Sequence, residues 1–303
     1  MKAPLLHSPN PPWSLAISCA ALFSVIGASC GPLGTPEVST PGTTAGIAGR
    51  DDLYALVYLF PPDEAIDIVF VPDDDYGDMA VPAEREGFLD AAVQIIQSGF
   101  WKNFVYFENL FRVNYWYVIG TGDVQPPLSG ICPRVTWPDL SDAPFAEMVV
   151  LLHPNYLRDC AWGNRVTAWA SRSDVIVHES GHAVFKLPDE YCCDGGYWEH
   201  HPILYRTEAA CESDTITGAG GGGGFYEDEI EIGTSWKNCD SFVDVRGVTW
   251  WRSEDLYYDI MRGGVDEFGP ADLWRVDQLL RLYLNQAVAV IPPSPPYGPT
   301  PWP

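Results

Sequence analysis

The chain has 303 residues, 47% of them hydrophobic and 13% aromatic, which is enough apolar mass for a substantial core and excludes a disordered polymer. Its 17 basic residues stand against 41 acidic ones, a formal charge of −24. That charge repels nucleic acid and anionic membrane, so neither is expected as a partner. It reads mainly as a solvated, solubilising face of a monomer, with a lean towards cationic substrates.

Residues 1–30 read as an export signal. Behind Lys2, the apolar run from Ser14 to Ala28 is too short to span a bilayer and suits a cleaved leader. Gly27-Ala28-Ser29-Cys30 resembles a bacterial lipobox, with Gly27 where leucine usually stands. Two outcomes stay open: cleavage after Ala28, giving a secreted protein, or a lipid anchor on Cys30, giving a cell-envelope lipoprotein. Residues 31–61 form a linker, rich in Gly, Pro, Thr and Ser to residue 50, with room for a strand over 51–60.

A single domain is expected over residues 62–290. Ile66 to Val71 reads as a buried strand, and residues 82–98 as an amphipathic helix opened by Pro82 and closed by Gly99, with Phe88, Ala92, Ile95 and Ile96 on its apolar side. Phe111 to Gly120 and Val149 to Leu152 are further strands. Strands alternating with helices predict an α/β (α+β) fold with a mostly parallel or mixed sheet. Residues 192–250 read as an insertion rather than sheet, and within it the nearly all-glycine stretch Gly218 to Gly224 reads as a flap or a disordered loop. Residues 271–286 form a closing helix with Leu273, Val276, Leu279, Leu280 and Leu284 on one side, before a Pro-rich tail over 291–303.

The chemistry concentrates at His178-Glu179-Ser180-Gly181-His182. Histidines four apart stand on one face of a helix, so both rings can meet one metal ion, and Glu179 beside them can take a proton from metal-bound water. With six histidines in the chain, chance would produce this pattern in roughly one such sequence in a hundred. Val177, Gly181 and Val184 give the helix a separate core side, and Gly181 suggests close approach of another element. Pro188 should stop the helix near Leu187, and a turn there can return an acid to the metal as third ligand: Asp189 first, Glu190 second.

His-Glu-x-Gly-His followed by Leu187 and Asp189-Glu190-Tyr191 resembles the bacterial zinc metallopeptidases related to the immunoglobulin A peptidase, a metzincin-like branch of the zincins. Ile66 to Val71 leading into Asp73-Asp74-Asp75-Tyr76, and Val149 to Leu152 followed by Asn155-Tyr156, are similar to two further stretches of that family. Asp259-Ile260-Met261-Arg262 is similar to its Met-turn, whose methionine packs beneath the ligands. The resemblance covers residues 62–290. It implies a zincin-like fold and an exported endopeptidase in which His178, His182 and Asp189 bind one Zn2+ while Glu179 acts as general base on a protein or peptide substrate. Two departures support a rival, a zincin-fold surface binding module with little catalysis. Pro188 stands where metzincins carry a third histidine, and Phe185 where they carry glycine.

Other candidates are weaker. Beyond the leader, Cys132, Cys160, Cys192, Cys193, Cys211 and Cys239 allow up to three disulfides in an exported chain. Asp73-Asp74-Asp75 and Glu227-Asp228-Glu229 are candidate Ca2+ ligands without the spacing of a dedicated loop. His153 reads as a surface histidine near the cleft. His200-His201 are poorly placed to share one ion, and Tyr257 and Tyr258 are candidate hydrogen-bond donors that read first as packing residues.

Overall fold

The apolar runs predicted as strands become the centre of one six-stranded mixed sheet. The computed structural model describes residues 52–191, 197, 199, 203–213, 239–252, 259–262 and 267–283. The expected signal and lipobox, the linker to residue 51, His200-His201, Gly218 to Gly224, Glu227-Asp228-Glu229, Tyr257-Tyr258 and the proline tail lie outside those residues.

In chain order the strands are β1 (Leu53–Val57), β2 (Ile66–Pro72), β3 (Val113–Val118), β4 (Asp123–Gln125), β5 (Arg134–Thr136), β6 (Met148–His153), β7 (Cys160–Trp162), β8 (Arg165–Trp169), β9 (Leu204–Tyr205), β10 (Asp240–Val243) and β11 (Thr249–Arg252). The helices are α1 (Pro82–Ser98), α2 (Phe104–Glu108), α3 (Ser173–Ala183), α4 (Glu208–Ser213) and α5 (Pro270–Tyr283). The main sheet runs β1-β3-β2-β6-β8-β7. Strands β3, β2, β6 and β8 are mutually parallel, and antiparallel β1 and β7 form the two edges.

Strands β2, β3 and β6 are buried along their whole length, as their predominantly apolar runs, interrupted by Asp67 and Asn114, require of strands covered on both faces. Ile68, Phe70, Val150 and Leu152 point into a core shared with α1, α3 and α5. Val69, Val71, Val149 and Leu151 point the other way, against Val124, Ala143 and Ala146 of the segment that carries the β4–β5 hairpin. Helix α1 has Pro82 in its first turn and Gly99 at its C-cap, and it buries the four expected side chains Phe88, Ala92, Ile95 and Ile96. Helix α5 buries Leu273, Val276, Leu279 and Leu280; Leu284 lies outside the described residues.

The expectation that 192–250 contains no sheet is overturned. Strands β10, β11 and β9 form a small antiparallel sheet. Phe242 pairs with Trp250, and the ring of Tyr197 packs on both. Asp244 closes the hairpin by accepting hydrogen bonds from Arg246 N, Val248 N and Trp250 Nε1. Strands β7 and β8 leave no clear sequence signal, because Gly163 breaks one hairpin into two short pieces whose alternation is too brief to register. Disulfides join Cys132 to Cys160 and Cys211 to Cys239; Cys192 and Cys193 lie outside the described residues. No helix among the described residues is long and apolar enough to cross a membrane.

Under the sheet, buried Asp67 accepts from Trp116 Nε1 at 2.6 Å and Asn114 Nδ2 at 3.0 Å, while its own N–H donates to Glu147 Oε2 at 2.8 Å. Burial, reinforced by the Asp67 charge and opposed by that N–H bond, pushes Glu147 up to about 7. A carboxyl with a raised folded pKa stabilises the fold fully below its ordinary value of 4.5, and that contribution is lost as pH climbs through about 7. Denaturation of the parent and of Glu147→Gln should therefore diverge with pH. Between pH 4.5 and 8 the parent should lose on the order of 3 kcal/mol more than the variant, whose neutral amide still accepts the Asp67 N–H. Parallel pH profiles would contradict this role.

Candidate metal centre

Strand β8 delivers the chain to the centre. Arg172 N bonds Trp169 O at 2.9 Å, closing a tight turn, and α3 starts at Ser173. Its inner side chains Ile176 and Val177 are buried in the core, which turns His178 and His182 to the other face. The two rings stand 4.8 Å apart and almost perpendicular. Both remain partly open, with side-chain exposures of 12% and 14%.

The regular helix ends at Ala183, four residues before the expected stop at Leu187. The chain turns at Lys186, which has φ 56° and is the only non-glycine left-handed residue among those described. That backbone state, rather than Pro188, terminates the helix. The Leu187 N–H then reaches back to Gly181 O at 3.0 Å. The last helical carbonyls, orphaned by geometry, find side chains instead. Lys186 Nζ donates to Ala183 O, Tyr283 to Val184 O at 2.8 Å, and Arg275 Nε to Phe185 O at 3.3 Å. Two cations thus sit at the negative end of the helix dipole. Phe185 itself is fully buried against Tyr106 and Phe268.

This turn brings Asp189 under the rings. Its Oδ1 lies 3.3 Å from His178 Nε2 and 3.2 Å from His182 Nε2. The opposite nitrogens are committed to backbone: His178 Nδ1 is 2.8 Å from Ile260 O, and His182 Nδ1 is 2.7 Å from Leu187 O. A carbonyl only accepts, so each Nδ1 carries the hydrogen, and in neutral imidazoles each Nε2 presents a lone pair. Asp189 Oδ1 is buried and its contacts to the rings lack hydrogen-bond alignment. With both rings neutral, three lone-pair atoms converge on one point, an arrangement that repels itself unless a cation or a proton on one ring sits among them. The donor set, two imidazole nitrogens and one carboxylate oxygen with second nitrogens held by carbonyls, fits Zn2+.

The rings and the carboxylate also shift one another's titration. Burial alone would raise the Asp189 pKa, yet His182 and His178 hold it well below the usual carboxylate range. Burial alone would lower that of His178, yet Asp189 raises it. Glu179, 6% exposed, is pushed up to about 8 by burial, with His178 opposing and Asp189 adding to the rise. Arg158 and Asp159, at the entrance to β7, act on it in opposite directions.

Glu190, the second candidate ligand, points elsewhere. It is buried with Asp259 and Asp272 in a separate group whose oxygens lie within 4.8 Å of one another. Its backbone serves the centre instead, since Glu190 N donates to Met261 O at 3.1 Å. The turn at Ile260–Arg262 thus supplies the His178 acceptor, the Glu190 acceptor and a methionine beneath the helix. An added methyl at Gly181 would overlap the Met261 sulfur and come within 3.2 Å of Phe268 Cε1. The close approach suggested by that glycine is therefore to Met261.

His153 is a correction: it is fully buried, not on the surface, with Nδ1 2.8 Å from Asn155 O and Nε2 3.6 Å from Asp159 Oδ1. The end of β6 pulls it inward as the last residue of a buried strand. In the Asp73-Asp74-Asp75 group, Asp73 is buried and its oxygens accept from Asp75 N and Val124 N, a turn-forming role. The sequence did not signal Ile260 O and Leu187 O, which as backbone groups leave no compositional trace, or Arg275 and Tyr283, which lie about 90 residues away on a helix read only for its apolar side.

Compared with known protein families and with curated proteins, the chain matches none.

Gly181→Ala sets a gain of about 1 kcal/mol in helix propensity against overpacking that costs about 1–3 kcal/mol. The variant should unfold about 1 kcal/mol more easily than the parent in urea. In a Met261→Ala background the same change should become neutral or stabilising. Equal effects in both backgrounds would show that the two residues do not touch.

Proposed function

We propose that this protein is an exported zinc-dependent endopeptidase of zincin-like architecture, akin to the bacterial metallopeptidases related to the immunoglobulin A peptidase that its sequence resembles. The observation that carries the reading is the convergence of His178 Nε2, His182 Nε2 and Asp189 Oδ1 beside the buried carboxyl of Glu179. The mixed sheet leading into the His-Glu-x-x-His helix and the methionine turn packed under Gly181 support the architecture. Two disulfides support a destination outside the cytoplasm.

His178, His182 and Asp189 would hold the ion, which when bound supplies Lewis acidity to a water molecule and to the scissile carbonyl. The remaining work falls to the chain. Ile260 O and Leu187 O fix both ring tautomers, so no imidazole rotation is needed when a ligand arrives. Glu179 takes the proton of the attacking water and returns it to the leaving amine. Its buried position favours that exchange, because desolvation brings the carboxyl towards neutral pH, and a bound cation would draw it back down. The partly open rims of His178 and His182 leave a side for the peptide.

The rival of a binding module without catalysis gains nothing from Phe185 or Pro188. Phe185 is a core residue outside the centre, and the chain meets the need for a third donor with Asp189 rather than at position 188.

Glu179→Gln should retain one zinc per chain by elemental analysis while peptide hydrolysis falls at least 10²- to 10⁴-fold, the usual worth of a general base. Asp189→Ala should instead lose zinc affinity by roughly 100-fold or more, since it removes one of three protein ligands. A Glu179→Gln protein that cleaves casein like the parent, or an Asp189→Ala protein that holds zinc as tightly, would refute these assignments.

A further inference from the structure

We propose that Tyr191 is a catalytic residue of this centre, its phenol donating a hydrogen bond to the oxyanion that develops on the scissile carbonyl. The inference rests on the hydrolase reading and adds a residue to it. Successive side chains after the turn alternate in direction. Asp189 enters the centre, Glu190 leaves it for the buried group with Asp259 and Asp272, and Tyr191 returns. The Tyr191 ring lies 6.1 Å from the His178 ring, tilted by 46°.

The backbone that presents this ring is pinned on both sides. Glu190 N donates to Met261 O at 3.1 Å, Arg252 Nη1 donates to Glu190 O, and the hydroxyl of Tyr197 donates to Tyr191 O at 2.6 Å. The tyrosine is thereby fixed relative to the same turn that orients His178. Tyr191 is partly open, as are His178 and His182, whereas Tyr106, Tyr115 and Tyr205 are fully buried.

The polar inventory gives the phenol its task. Both imidazole N–H groups are spent on backbone carbonyls, Asp189 is an acceptor, and Glu179 is occupied as the base. None of these four side chains has a hydrogen to offer a growing negative charge on the carbonyl oxygen. A neutral phenol beside His178 supplies one, and it strengthens its bond as that charge develops. Arg158 stands at the Glu179 flank, exposed at the start of β7, and is the competing donor.

The test compares Tyr191→Phe with the parent, both as the full zinc-loaded chain. The ring and its packing remain, so zinc content and thermal midpoint should match. The kcat on a peptide substrate should fall about 10²-fold with KM within about twofold, the signature of a lost oxyanion donor. Independently of turnover, a phosphinic peptide, whose tetrahedral anion mimics the oxyanion, should bind the variant about tenfold more weakly by calorimetry. Unchanged kcat and phosphinate affinity would overturn the proposal, as would loss of zinc, a raised KM with kcat intact, or the same kcat defect in Arg158→Met with Tyr191→Phe silent. A parent that holds zinc yet cleaves no peptide would overturn the hydrolase reading and this inference together, a result separable from any difference between parent and variant.

Discussion

Everything at this centre follows from two backbone carbonyls. By accepting from the Nδ1 atoms of His178 and His182, Ile260 O and Leu187 O decide which nitrogen of each ring is left with a lone pair. Once that is fixed, Asp189 Oδ1 beside both Nε2 atoms is a repulsive arrangement that a shared cation, or a proton on one ring, relieves. The carbonyls in turn come from the methionine turn and from the loop after the helix, so ring chemistry is coupled to how those two segments dock. An ordinary amphipathic helix with paired histidines would need neither carbonyl in place.

The loop depends on an unusual helix ending. Lys186 adopts a left-handed backbone that costs a non-glycine residue about 1 kcal/mol or more, and this is offset locally because the residue also supplies the ammonium that caps Ala183 O. With Arg275 and Tyr283 capping the next two carbonyls, the ending is determined by side chains from both sides of the turn. Because these side chains, rather than a glycine, close the turn, position 185 can carry a phenylalanine that fills the core.

Much of this was legible from residues alone, and what was not has physical causes. The buried strands β2, β3 and β6 announced themselves because full burial on both faces demands predominantly apolar, β-branched and aromatic runs, and α1 because Pro82 and Gly99 bracket a clear period. Strands β7 and β8 stayed hidden, being short and split by a turn, and so did the β9–β11 sheet, whose hairpin is held by the Asp244 side chain rather than by a recognisable turn pair. At the centre, the helical spacing exposed His178, Glu179 and His182, and the proline suggested a return to Asp189. Between the two neighbouring acids the sequence supports only a ranking, Asp189 before Glu190, because which of them faces the rings depends on the direction of a single peptide after Lys186. The burial of His153 was equally invisible, since a strand's final residue faces in or out according to the sheet's twist.

The order in which the pieces occur along the chain has a bearing on how the cluster assembles. The imidazole pair is complete by residue 182, but the loop bearing its third partner is held by Arg275 and Tyr283 of the last helix described, roughly ninety residues later. A nascent or half-threaded polypeptide possesses the histidines without the clasp that shapes the loop beyond them. Assembly of the three-donor cluster is thereby tied to the docking of Pro270–Tyr283, so the histidine pair and its acidic partner come together only late in folding.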